Sequence, residues 1–341
     1  MAMAQDLGSI IRDANWLAHR YDPGHDAFQF RRVERDAHRA ATFITDEYLG
    51  TTAPLAIRRA DVRAAMPTTA PLHFLFHSAF CGSTLLARAF DLPGAAMGLK
   101  EPVVLNDIIG WQHRGATAAA IAPVLEASLH LLARPFAAGE AIVVKPSNVV
   151  NGLAPAMLTM QPQSRALLLF APLPVYLGSV ARKGMDGRLW VRDLLLKQLR
   201  EGLHAFGFSG EDYLGQTDLQ VAAMGWLAQH RLFARLIEAF GADRVRSLDS
   251  ETLMAQPAAV LDRLSQLYGI KLDAEAVAAG PAFNRHSKFS TRFDAAARAA
   301  ERAAGEAPHA EEIAKVAHWT EAVASATGVS MEIGAPLLEN G

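Results

Sequence analysis

The chain has 341 residues, 51% of them hydrophobic, and a formal net charge of −2, enough for one or two domains with large cores and too balanced for general nucleic-acid binding. Cys81 is its only cysteine, which excludes an intramolecular disulfide. Apolar stretches stop short of a bilayer span, and the first residues, MAMAQDLGSIIRDANW, carry early acids and no apolar signal core, so a cytoplasmic protein without nucleic-acid or membrane partners is expected.

Residues 1–70 show no strong strand signal. They read as an N-terminal helical cap packed on the main fold, with Arg/Asp-rich helices over 9–21 and 31–48 and a turn at Tyr21-Asp22-Pro23-Gly24 between them. His25, Phe28, Phe30 and Arg32 are candidates for a substrate cleft, against the simpler reading of core aromatics and a solvated arginine.

From residue 71 onward, short apolar runs alternate with helical patterns. Strands are expected over 72–76, 96–99, 141–144, 166–170 and 244–248. Helices are expected over 117–132, 151–160, 176–182, 194–206, 219–240 and 258–268, the last stopped by Gly269. Pro155 is an objection to the second of these, and the 219–240 helix has an apolar face broad enough for a core or an interface. The remainder is alanine-rich and helical, broken by a polar cluster at Arg285, His286, Ser287 and Lys288 that could close over a ligand. The alternation predicts one doubly wound α/β domain with a parallel sheet over residues 71–341. No linker divides it and no internal repeat is visible.

The segment PLHFLFHSAFCGSTLLARAFD, residues 71–91, is the most informative. A buried strand leads into the small-residue turn Ser78-Ala79-Phe80-Cys81-Gly82, and Ser83-Thr84 opens a helix. Strand, tight loop and helix start present backbone N–H groups to an anion, with Gly82 allowing close approach and the hydroxyls adding donors. The Walker A pattern is not met. No glycine stands five residues before Gly82, and Ser83 occupies the lysine position, which counts against an ATP-using phosphotransferase. An ordinary turn between strand and helix stands as the plain alternative.

Phe76 to Leu86, Glu101-Pro102, Lys145-Pro146 and SLDSETLMAQPAAVLDRLSQLYGI, residues 247–270, together resemble a divergent, bacterial-type sulfotransferase of the P-loop NTPase-like superfamily. The resemblance covers roughly residues 71–290 and leaves the first 70 outside it. It implies 3′-phosphoadenosine 5′-phosphosulfate (PAPS) as sulfuryl donor and a small acceptor with a hydroxyl or amine. It implies further that the loop from Ala79 through Phe80, Cys81, Gly82, Ser83 and Thr84 wraps the 5′-phosphosulfate. Glu101 then stands where some members, such as the protein-tyrosine sulfotransferases, hold a general base. Lys145 matches a lysine facing the sulfuryl group, and Ser179 a serine of the 3′-phosphate site.

These roles are chemically sensible on their own. Sulfuryl transfer resembles phosphoryl transfer in depending on positioning and charge neutralisation, and a carboxylate base contributes ~10²–10⁴-fold. Glu101 and Lys145 both close predicted parallel strands, where open α/β sheets bind ligands. The chain departs from the family at Phe80, where a lysine or arginine is usual, and at Ala171, where an arginine is usual. Lys100 or Lys145 could replace the first, and Arg182 and Lys183, about one turn beyond Ser179, the second. The departures keep open a second possibility, a nucleotide-binding module without catalysis.

His77 beside the loop is a candidate acid/base, or a rim histidine held by a backbone partner. Cys81 does not fit a phosphatase loop, whose arginine would fall at Ala87. No histidine or carboxylate spacing suggests a metal site.

Overall fold

The structure, a computed structural model, describes residues 6–50, 52–66, 68–284 and 307–338. Its centre is a five-stranded, all-parallel sheet built from β4 (Leu72–His77), β5 (Ala96–Lys100), β6 (Ala141–Lys145), β7 (Ala166–Phe170) and β8 (Val245–Asp249), in the spatial order β5-β6-β4-β7-β8. The runs of β6 and β7 are nearly continuous apolar segments because both faces are covered. Every residue of β4 and of β6 is buried.

Alternate side chains enter two separate apolar layers. Phe74, Phe76, Ile142, Val144 and Leu168 pack with helices α3 (Val103–His113) and α4 (Ala118–Leu132). Leu75, Val143, Leu167 and Leu169 pack with α2 (Ser83–Ala89), α5 (Leu173–Arg182) and α8 (Pro257–Tyr268) on the other face. The doubly wound α/β expectation therefore holds. Between α5 and α8 lie α6 (Gly184–Arg200) and α7 (Asp218–Phe240), and α9 (Ala310–Thr327) follows them in the chain. A capping box of Thr217 and Gln220 starts α7. The helix is core rather than interface, with fourteen of its 23 residues buried. A 3-10 turn, Asn148–Leu153, precedes the helix Ala154–Met160, so Pro155 falls in a first turn, where its missing N–H costs nothing.

The N-terminal region differs from the helical cap expected. It contains an antiparallel sheet, β1 (Trp16–Asp22), β2 (Ala27–Arg32) and β3 (Leu55–Arg58), with the predicted turn closing the β1–β2 hairpin. The helical reading assigned the arginines no partners. Most of them instead reach specific carboxylates: Arg20 binds Asp46 and Asp107, Arg59 binds Asp26, and Arg35 binds Glu140. The period-two pattern of Phe28, Phe30 and Arg32 is the strand signal beneath them, both rings being fully buried. These rings share a core with α3 and α4, so the region packs on the main fold. Phe28 and Phe30 thus line no cleft, and His25 is a turn residue held to Asp22. The polar cluster at residues 285–288 lies outside the described residues.

Gly98 in β5 lies against α2, where an added Cβ would run into the Ala87 carbonyl. Gly98→Ala must push strand and helix apart, so it should lower stability by about 1–3 kcal/mol, read as a lower urea midpoint.

Candidate functional site

β4 and β7 lie side by side, but the chain leaving β4 crosses toward β5 while that leaving β7 leads to β8 on the opposite side. The carboxyl edge between them is a switch point, the usual ligand crevice of such sheets. The loop after β4 opens there. Ala79, Phe80 and Gly82 have φ of +74°, +54° and +80°. For the two residues that carry a Cβ this left-handed backbone costs roughly 1–2 kcal/mol each, while glycine adopts it freely. An added Cβ at Gly82 would meet only Leu253 Cδ2, at 3.6 Å, so Gly82 is there for its backbone conformation.

His77 holds the loop. Its Nδ1 accepts from the Ala79 N–H at 3.1 Å, which leaves the proton on Nε2 to be donated to the Pro146 carbonyl, also at 3.1 Å. The imidazole is therefore neutral, and burial, then the nearby Lys145 charge, hold its pKa well below the ordinary value. With both nitrogens engaged, this geometry makes His77 a positioning residue rather than the acid/base candidate of the sequence reading. Asn151 Nδ2 secures the His77 carbonyl at 2.9 Å and also donates to Gln229 of α7 at 2.5 Å.

Beside this loop stand the two charged residues expected from the sequence. β5 and β6 are hydrogen-bonded neighbours with Lys100 in register with Lys145, and the Glu101 N–H donates to the Lys145 carbonyl at 2.7 Å. Glu101 takes a left-handed φ of +53°. Its carboxylate receives a hydrogen bond from Lys145 Nζ and lies 3.9 Å from His77 Nε2. The Lys145 side chain is 1% exposed and the Glu101 side chain 19%. A buried ammonium thus has a carboxylate partner that opens to solvent. The Phe43 ring centroid lies 5.2 Å from Lys145 Nζ, a cation–π contact.

Lys100 does not join this site. Its ammonium donates to the carbonyls of His38 and Arg39 at 2.7 and 3.0 Å, and burial pushes its pKa down to about 8. It cannot replace the cation absent at Phe80. Phe80 itself packs against Trp190 and Tyr176, at ring-centroid distances of 5.2 and 5.7 Å, with Lys183 Nζ 5.7 Å from its ring. Arg182 Nη2 donates to the Ser179 hydroxyl at 3.2 Å, which itself donates to the Val175 carbonyl. Ser179, Arg182 and Lys183 are therefore one group at the end of α5, and it touches the loop through Phe80. Ala171 is fully buried, its N–H bound by the Ser78 hydroxyl and its carbonyl by Trp226 Nε1, leaving no space for the arginine usual at this position.

Cys81 is buried within the loop, and burial pushes its thiol up to about 11, against any nucleophilic role. Ser83 is buried and Thr84 half-buried at the start of α2. Sequence reasoning missed Phe43 and Asn151, which lie far from the loop in the chain and carry no motif.

No protein-family model matches the chain, and no curated protein matches it. Among solved structures, it is similar to the sulfotransferase domain from the curacin biosynthetic pathway at 14% identity and a TM-score of 0.40, over 66% of this chain and 84% of that one. The sulfotransferase domain from the Synechococcus PCC 7002 olefin synthase gives 17% identity and a TM-score of 0.40, over 68% and 84%. A sulfotransferase from Alicyclobacillus acidocaldarius gives 16% and 0.36, over 74% and 96%. At these values the likenesses carry no argument, and the site has to be read from its own residues. Among those described, no helix is long and apolar enough to cross a membrane.

Two outcomes follow from the charge arrangement. Glu101→Ala leaves the Lys145 ammonium buried without its carboxylate and should cost roughly 3–5 kcal/mol. Adding Lys145→Met should recover much of that loss in a double-mutant cycle read by urea denaturation. The second concerns acid. His77 is held neutral, burial lowers His73 and His204 to about 4, and it lowers His38 and His230 to about 3. These groups take up protons on unfolding below their ordinary value of 6.5, so their contribution is full above that pH and falls beneath it. Each costs up to about 1.4 kcal/mol per pH unit. Glu201, pushed up to about 8 by burial, has the opposite sign and offsets about one of them. The urea midpoint should therefore drop steeply between pH 6.5 and 5.

Proposed function

We propose that the protein is a divergent PAPS-dependent sulfotransferase that moves a sulfuryl group to the hydroxyl or amine of a small acceptor. The observation that carries this reading is the pairing of buried Lys145 with partly open Glu101 at the carboxyl ends of adjacent parallel strands, beside the loop that follows β4. The chain's residues fit such a donor. The loop at Gly82 admits close approach, Thr84 stands at its mouth, and Arg182 and Lys183 are exposed cations beside Phe80. Thr84 and the loop would hold the 5′ end, and Ser179, Arg182 and Lys183 the 3′-phosphate.

PAPS, when bound, would supply the sulfuryl group, with 3′-phosphoadenosine 5′-phosphate as the leaving group. Lys145 neutralises negative charge at this edge from a site shielded from water, where a charge acts more strongly than in solvent. Glu101 takes the acceptor's proton through its exposed side. His77 keeps the loop in its left-handed course.

A second reading, nucleotide binding without transfer, is favoured by the apolar packing of Phe80 where a cation would serve catalysis. Thermal stabilisation by 3′-phosphoadenosine 5′-phosphate, with ATP and AMP as controls, tests both. At ~100-fold above its dissociation constant a native-state ligand adds roughly 2.7 kcal/mol. A shift specific to the 3′-phosphorylated ligand is expected. Glu101→Gln, which keeps an acceptor for Lys145, should retain that shift and lose turnover. Full turnover would remove Glu101 as base, and stabilisation by ATP alone would point to phosphotransfer.

A further inference from the structure

Helix α6 buries one apolar side and leaves a second one bare. Val191, Leu194 and Leu195 are buried, and Trp190 meets Phe80 of the loop after β4. Met185, Leu189, Leu196 and Leu199 are instead between 37% and 68% exposed. At about 100° per residue these four fall within roughly 80° of the helix circumference, so they form one stripe. Leu214, also exposed, stands near its middle, because Arg192 Nη2 holds the carbonyl of Gln216, two residues on, at 2.9 Å. Among the described residues eight large apolar side chains are exposed, and these are five of them. Exposed apolar residues scattered singly are ordinary, whereas their concentration on one helix marks a surface that another surface covers.

The spacing of the stripe says which surface. Leu189 and Leu196 are equidistant from the midpoint between Arg192 and Asp193, and Met185 and Leu199 are within one residue of being so. Such a stripe reads alike in both directions. It therefore matches a copy of itself laid antiparallel about a two-fold axis, the self-complementarity that an isologous contact requires. Leu189 then meets Leu196 of the second copy, and Met185 meets its Leu199.

The charges select the same arrangement. Arg192 is drawn aside to Asp218 at 2.6 Å, and Asp193 is paired with Lys197 on the next turn, so the centre of the stripe is locally neutral. Its ends are not. Asp186 and Arg200 are both exposed and lie on the same border of the stripe. Among the described residues the ion pairs of α6 use Arg188, Arg192, Asp193 and Lys197 and leave these two out. Antiparallel pairing brings Asp186 of each copy to Arg200 of the other, whereas parallel pairing brings like to like.

We propose that α6 is the contact of a homodimer, in which two copies of this chain pack through antiparallel α6 helices about a two-fold axis beside Asp193. One helix pair is at the small end of specific interfaces, so a reversible dimer with a dissociation constant in the micromolar range is expected.

The test is sedimentation velocity of the full chain over a concentration series that spans this range. The mass should rise from 36.7 kDa towards twice that value. Leu189→Glu and Leu196→Glu each put a carboxylate on both sides of the apolar centre and should weaken association by about tenfold or more. Asp186→Arg and Arg200→Asp should each weaken it by creating like-charge pairs, and the double variant, which restores opposite charges across the axis, should recover it. All the substituted side chains are exposed, and far-UV circular dichroism matching wild type shows that each variant is folded. A wild-type chain that stays monomeric throughout overturns the proposal. So does association that survives both leucine substitutions, or a double charge variant no better than the single ones. Binding of a monomeric wild type to phosphatidylglycerol vesicles, lost in Leu189→Glu, would assign the stripe to a lipid surface instead.

Discussion

An ammonium taken out of water must be compensated, and much of the candidate site is organised by that demand at Lys145. The side chain is almost wholly buried at the end of an inner strand. Glu101 compensates it from the neighbouring strand end, and the Phe43 face adds a weaker attraction. The left-handed backbone at Glu101 belongs to the same arrangement, since the strand must turn sharply for the next side chain to face back across the sheet edge. His77 cannot also be charged here. Its neutral form has a partner for each nitrogen and shapes the loop after β4. One buried cation thus goes with a carboxylate partner, a neutral imidazole and a fixed loop within a few residues of one another.

The N-terminal sheet gains its meaning from the same place. By itself it is a small antiparallel sheet whose apolar face has to be covered. Its buried rings share the apolar layer of α3 and α4, and its Arg20 ends on carboxylates of other elements. Arg20 joins β1 to Asp46 of the short turn α1 (Asp46–Leu49) and to Asp107 of α3, the helix that follows Glu101. A region outside the sulfotransferase resemblance is thereby tied to the backbone on both sides of Glu101, through Ile44.

The parallel sheet was legible because strands buried on both faces need no polar residues, and the apolar runs at 72–76, 141–144 and 166–170 stand out for that reason. Arginines masked the first strands, whose pairing with distant carboxylates no local pattern reveals. Glu101 and Lys145 were legible as strand ends, but not as partners, since they are joined only by the register of β5 and β6. Lys100 and Lys145 look alike in the sequence, each closing an apolar run. The edge strand turns Lys100 toward the carbonyls of His38 and Arg39, and the inner strand turns Lys145 toward Glu101.

Helix α7 has a consequence for how the molecule comes apart. Its first half, from Leu219 to Ala228, lies in one apolar layer, and Leu232, Phe233 and Leu236 lie in the other. Between them Gln229 reaches Asn151, which holds the His77 carbonyl. The helix works as a rivet through both sides of the sheet. Loosening either layer therefore loosens a support of the loop at the crevice, so a substitution deep in the core is felt at the site.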